Sequence, residues 1–221
     1  MQNDENIFFE KGASSEIKKD KFELSLAGVE GWLKYRGILN ESENLIKYQD
    51  LDDWYRSGSK TYFTSFKMDY VSKKGLHCEK SIGIKAITAL PVESYLEHLS
   101  HNRKILIDND IPVSNWHWYG NGVIIEDYYP NNAKSVVSIE SLYEIAYKLD
   151  NIGYFSQSGI LKDVRCDLNG TPYVTDLGFN LLDDKKNVAL KEIIKFFPDK
   201  EKTLKEFYTS MSQSGFNKTV H

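Results

Sequence analysis

The stretch from Gly153 to Asn180, GYFSQSGILKDVRCDLNGTPYVTDLGFN, constrains the fold of this chain more than any other. Gly153 reads as a turn, and a polar loop with Ser156 and Ser158 follows it. The segment Val164–Asp176 then reads as a hairpin centred on Asn169-Gly170, because that dipeptide adopts the backbone angles of a tight reversal at low cost. The second strand runs directly into Thr175-Asp176-Leu177-Gly178. A hairpin of this kind brings a carboxylate at a strand end beside the polar loop that precedes it.

Around this segment the chain alternates sheet and helix. Thr61–Val71, rich in aromatic and β-branched residues, reads as a strand, and His77–Thr88 as its hairpin partner across the turn Ser72–Gly75. Pro91 is placed to open a helix that runs to about Asp108, and Asp110-Ile-Pro-Val-Ser breaks it. Trp116–Tyr119 and Val123–Asp127 read as short strands joined by Gly120-Asn121-Gly122. Ser138 caps a helix to Asn151, with Leu142, Ile145, Ala146 and Leu149 on one face. Helices are expected again over about Lys185–Phe197 and Lys200–Met211. For Phe22–Asp50, where Trp32, Leu33, Ile38, Leu39, Leu45 and Ile46 supply an apolar face, helix and strand remain open. The order predicts an α+β fold of two lobes hinged near residue 128: a flexible segment 1–20, a first lobe over 21–127 and a helical lobe over 128–221.

The totals narrow the function classes. With 41% hydrophobic residues in 221, the chain has enough apolar material for one substantial core or two small lobes. A net charge of −4 gives no sign of a broad nucleic-acid surface. No apolar run reaches the ~20 residues of a membrane span, and the first residues do not resemble a secretory signal. A reducing cytosol is the expected compartment. Cys78 and Cys166 read as buried small hydrophobes rather than a disulfide framework. His98 and His101 are three apart on a helix but lack a third ligand, and no GxSxG, GxxxxGK[ST] or CxxC is present.

From Asp110 the text DIPVSNWHWYGNGVIIEDYYP resembles the "GIPVP…Y…G…LVMEYLPG" of the protein-kinase-like superfamily, in its aminoglycoside-phosphotransferase and lipopolysaccharide-core-kinase branches. Lys148-Leu-Asp-Asn-Ile-Gly153 is similar to the family's helix end "LHKLG", and the match covers roughly residues 55–185. The resemblance implies a small mixed sheet in the first lobe, a minimal helical second lobe, and Mg–ATP (ATP with Mg²⁺) held in the cleft between them.

Residue by residue, Lys85 in Ser81-Ile-Gly-Ile-Lys-Ala-Ile87 matches the strand lysine that contacts nucleotide phosphates, a point charge on a rigid strand. Glu97, or Glu93 on the same helix face, would pair with it. Ile125 would stand behind the adenine, with Glu126 and Tyr128 at the hinge. Asp176 matches the Asp that bridges metal to phosphate, and Gly178 the turn after it. Asp163 stands where the family has a metal-binding Asn, so Asp163 and Asp176 would offer two carboxylates to a hard cation.

Two positions depart from the family pattern. Ser156 replaces its loop His and Ser158 its catalytic Asp, so Asp163 would have to substitute as base, or transfer would rest on positioning and metal charge. The glycine-rich phosphate loop is reduced to Arg56-Ser57-Gly58-Ser59-Lys60-Thr61, with one glycine. The residues imply an atypical phosphotransferase acting on a protein or small molecule. The alternatives are a non-catalytic binding module of pseudokinase type and an AMP-transferring relative.

Overall fold

The computed structural model describes residues 26–57, 60–182 and 188–213. The segment expected to be flexible, 1–20, lies outside them, as do Gly58-Ser59 of the candidate phosphate loop, the expected helix start at Lys185, and His221. The fold is mixed α+β. It divides into two compact units: the residues up to His98 with Ser114–Tyr128, and Leu99–Val113 with everything from Tyr129.

The first unit is built on a five-stranded sheet of β1 (Asn44–Ser57), β2 (Thr61–Val71), β3 (His77–Ile87), β4 (Trp116–Gly120) and β5 (Val123–Asp127), in the order β1-β2-β3-β5-β4. Every pairing is antiparallel, so the mixed sheet implied by the family resemblance is not what forms. The register of β2 on β3 is unbroken from Thr61↔Ile87 to Val71↔His77. Ser72–Leu76 closes that hairpin through Gly75 N–H to Ser72 O at 2.8 Å and Ser72 N–H to Leu76 O at 2.9 Å.

Side chains alternate across a sheet with period two. Phe66, Met68, Ile82, Ile84, Val123 and Ile125 therefore point to one face. Helix α1 (Leu26–Tyr35) covers that face with Trp32 and Leu33, joined by Ile38, Leu39 and Leu45. The described part of the segment Phe22–Asp50, from Leu26 on, is thus helix, then strand.

The helix ends in a Schellman motif: Ile38 N–H bonds Leu33 O and Gly37 N–H bonds Lys34 O, both at 2.9 Å, with Gly37 at φ +68°. Nothing lies within 4 Å of a Cβ at Gly37, so backbone strain alone opposes a side chain there. Gly37→Ala is expected to cost about 1 kcal/mol. A chemical-denaturation midpoint unchanged from wild type would show that the turn relaxes.

In the second unit, helix α3 (Ile139–Asn151) is capped by Ser138, whose Oγ accepts from Ser141 N–H, and buries Leu142, Tyr143, Ile145, Ala146 and Leu149. Helices α5 (Val188–Phe196) and α6 (Glu201–Gln213) follow later in the chain. Asp150, 4% exposed, accepts from Ala189 N–H at 2.8 Å and Leu190 N–H at 3.0 Å. It thereby satisfies donors that the first turn of α5 cannot satisfy itself. Burial raises its pKa despite those bonds.

A three-stranded sheet of β6 (Asn131–Asn132), β8 (Val164–Cys166) and β9 (Pro172–Val174) completes the scaffold. The β8–β9 reversal is longer than a two-residue turn. Gly170 N–H bonds Asp167 O, Asp167 N–H bonds Thr171 O, and only Gly170 of the Asn169-Gly170 pair has positive φ. That is a type I turn followed by a glycine bulge.

The helix α2 (Val92–Asp108) begins as expected after Pro91. From Leu99 on, its residues belong to the second unit, where Leu99 and Leu106 are buried.

Candidate functional site

In the first unit, Lys85 and Glu126 lie on the sheet face opposite the α1 core. The register sets Lys85 against Ile124 and Gly83 against Glu126, which makes Lys85 and Glu126 diagonal neighbours. Their charges meet at 2.7 Å, with the side chains 18% and 4% exposed. Ser114, fully buried, donates its Oγ–H to the other Glu126 oxygen at 2.6 Å.

The strand lysine therefore has a buried carboxylate partner, but it is Glu126 rather than Glu97 or Glu93, both exposed on α2. The reason is geometric: two positions on adjacent strands of one sheet are held closer than a strand and a separate helix. Gly83 makes room for the neighbouring Phe63 ring, which lies 2.9 Å from where a Cβ would stand.

The other nucleotide residues expected in this unit fall differently. Ile125 is fully buried and paired with Ile84 in the core against α1, on the face away from Lys85. Tyr128 stacks on Phe63 with ring centres 6.0 Å apart, and its backbone N–H is donated to Ser81 O at 3.1 Å. A hinge donor for adenine at Tyr128 would have to leave that bond. Lys60 of the candidate phosphate loop has its ammonium 4.8 Å from the centre of the Tyr95 ring.

The second unit gathers the loop residues. Strand β7 (Tyr154–Phe155) leads through Ser156-Gln157-Ser158-Gly159 into the single turn α4 (Ile160–Asp163), directly before β8. Asp163 is 1% exposed, and its two carboxylate oxygens each accept a hydroxyl: Tyr154 Oη–H at 2.6 Å and Ser158 Oγ–H at 2.5 Å. Its backbone carbonyl accepts from Thr175 N–H at 2.8 Å and Asp176 N–H at 3.2 Å, which ties the loop to the segment after β9. Burial, and secondly the Asp176 charge, push Asp163 up to about 6, against the opposing bonds from Ser156, Ser158 and Tyr154. Tyr154 is pushed far up by burial and by Asp163, and remains a phenol.

Ser158 is the exposed end of this network. Its own N–H and that of Gly159 bond Ser156 Oγ at 3.2 and 3.4 Å, and the two hydroxyl oxygens lie 2.8 Å apart. The Ser158 proton is directed at Asp163. The loop is clamped from α5, where Glu192 accepts Ile160 N–H at 2.7 Å. Gly159, at φ +83°, is required there: a Cβ would stand 2.3 Å from the Glu192 carboxylate.

Asp176 is exposed at the end of β9, and its Oδ1 accepts Gly178 N–H at 3.0 Å. The turn after Asp176 comes from that side-chain bond; Gly178 does not use positive φ, contrary to the role expected of it. Asn102 holds the next segment, donating both Nδ2 hydrogens at 2.8 Å, to Leu177 O and Phe179 O. Asn102→Ala is expected to cost about 1–3 kcal/mol, the desolvation of two buried carbonyls. Hydrogen exchange of the 176–180 amides should rise with it; unchanged exchange would remove Asn102 as the clamp.

Among the described residues no group of three or more His, Cys, Asp or Glu is placed to hold a metal ion. Exposed Asp176 fits a magnesium ion that arrives on phosphate oxygens, which needs only one or two protein carboxylates. Asp163 is less suited to that second ligand role, since both its oxygens face hydroxyls and neither faces solvent. No protein-family model matches the chain, and a search of curated proteins finds no match.

Proposed function

We propose that this chain is an atypical kinase-like phosphotransferase that binds ATP with Mg²⁺ and acts on a protein or small-molecule hydroxyl. The observation that carries this proposal is the second unit's loop. An exposed strand-end carboxylate, Asp176, is tied by backbone bonds to a buried one, Asp163, which in turn holds an exposed hydroxyl, Ser158. Asp176 would hold the metal, whose bound charge offsets that of the phosphates. Lys85, fixed by Glu126 and Ser114, supplies a positive charge of defined position for phosphate oxygens.

A non-catalytic, nucleotide-binding module is the second reading. It is favoured by the burial of Asp163, which leaves no carboxylate facing solvent at the Ser158 position. Thermal unfolding with and without Mg–ATP tests the shared premise. Ligand at about 100 times Kd should stabilise by about 2.7 kcal/mol, a shift of several degrees. No shift at millimolar Mg–ATP would sink both readings. Transfer from γ-labelled or α-labelled ATP then separates phosphotransferase, AMP transferase and silent binder.

A further inference from the structure

We propose that Ser158 is a covalent nucleophile, the first acceptor of the phosphoryl group, rather than a blank where a base is missing. This rests on the Mg–ATP reading above and adds the residue that takes the group. The loop presents to solvent a hydroxyl with a carboxylate behind it, and a hydroxyl so backed is an activated nucleophile.

Three features support that assignment. Ser158 Oγ is exposed, and its proton is already directed along a 2.5 Å bond to Asp163 Oδ1. Asp163 is itself fixed by Tyr154 Oη on its other oxygen and by Gly159 O on its backbone N–H at 3.1 Å. It can turn to neither solvent nor another partner without breaking these bonds. Ser156 Oγ accepts the Ser158 and Gly159 amides and lies 2.8 Å from Ser158 Oγ, which holds Ser158 in place. The arrangement nucleophile, base and orienter is complete within one loop, its far side closed by Glu192.

The step balances within the chain and its substrate. Ser158 Oγ forms a bond to the γ-phosphorus of ATP, and the bond from that phosphorus to the β,γ-bridging oxygen breaks. The bridging oxygen keeps the electron pair and leaves in ADP, while the Ser158 proton passes to Asp163 Oδ1. In the onward step an acceptor hydroxyl oxygen bonds the phosphorus and the bond from phosphorus to Ser158 Oγ breaks; Asp163 returns its proton to Ser158 Oγ, and the acceptor's proton leaves to solvent.

Two arms test this. Without nucleotide, a small fluorophosphonate should label Ser158, read by peptide mass mapping, in preference to the other exposed serines. Asp163→Asn should slow that labelling by roughly 10²-fold or more, as loss of a general base does. Tyr154→Phe, which removes the donor that fixes Asp163 but leaves the Ser158 contact, should slow it by a smaller factor than Asp163→Asn. With Mg–ATP, the wild-type chain should gain one phosphate on the Ser158 peptide, absent in Ser158→Ala.

Labelling of Ser158 no faster than of other serines overturns the proposal whatever the nucleotide arm shows. A thermal shift with Mg–ATP but no phosphate on Ser158 also overturns it, and leaves nucleotide binding standing. Absence of any shift removes the Mg–ATP reading and the phosphoryl step with it. Far-ultraviolet circular dichroism of each variant separates lost chemistry from lost fold.

Discussion

Asp176→Ala is expected to abolish the Mg²⁺-dependent stabilisation by ATP while leaving the fold intact. The side chain is exposed, and the contact it makes within the chain is the bond from Gly178 N–H, at the surface. Removing it therefore costs at most about 0.5–1.5 kcal/mol of stability, the worth of one hydrogen bond. The effect on ligand is of another order. A stabilisation of about 2.7 kcal/mol at 100 times Kd falls to about 0.4 kcal/mol if affinity drops 100-fold, because the ligand then only equals its Kd. The measurement is a pair of melting curves, each with Mg–ATP and with ATP plus chelator. Wild type should shift only with the metal, and the variant with neither. A variant that keeps the full metal-dependent shift would place the metal elsewhere and dissolve the match between Asp176 and the family's metal carboxylate.

The elements with the strongest local signals were legible in the sequence. The strand Thr61–Val71 is found with its expected ends, and the helix predicted from Pro91 to Asp108 spans Val92–Asp108. Both carry long, unambiguous patterns bounded by Pro, Gly or Ser. The N-terminal helix was not legible because its apolar residues come as adjacent pairs, Trp32-Leu33, Ile38-Leu39 and Leu45-Ile46, which satisfy neither period alone. A signal was present in Gly37 followed by Ile38, the glycine and apolar pair of a Schellman end.

At the site, the residues of the loop could be named from their order, but their partners could not. Lys85 finds Glu126 because of a strand pairing between residues 41 positions apart, which no local pattern encodes. Asn102 and Glu192 serve the loop from helices in which Asn and Glu ordinarily face solvent, so composition gave no hint of them. Tyr154 reads in sequence as one more aromatic in a tyrosine-rich chain. Its role as donor to Asp163 appears only once β7 and α4 are brought together. The burial of Asp163 is likewise a tertiary property, and it replaces the open carboxylate expected of a metal ligand with one enclosed by hydroxyls.

That burial has a measurable consequence: Asp163→Asn is expected to stabilise the chain at pH 7 and to flatten its dependence on pH. The folded-state pKa is raised to about 6, first by burial and then by the Asp176 charge. An unfolded-state Asp ionises near 4, so between about pH 4 and 6 the folded state binds the proton more tightly. The stability that Asp163 contributes is therefore fully present below pH 4 and is lost as pH rises through 6. The loss over that window is about 3 kcal/mol, from about two pKa units at 1.36 kcal/mol each. Asn carries no charge, keeps an acceptor oxygen, and can offer its amide hydrogens to the oxygen of Tyr154 or Ser158. It should recover most of that loss at pH 7 and little of it at pH 4. Asp150, also raised by burial, adds a slope of the same sign, but it does so in both proteins and cancels in their difference. Urea midpoints at the two pH values are sufficient. If the Asn variant is less stable than wild type by the same margin at pH 4 and pH 7, Asp163 ionises without strain. A gain confined to neutral pH would instead show an ionised carboxylate kept buried at a cost to stability, and the exposed hydroxyl it holds is the group that could repay that cost in function.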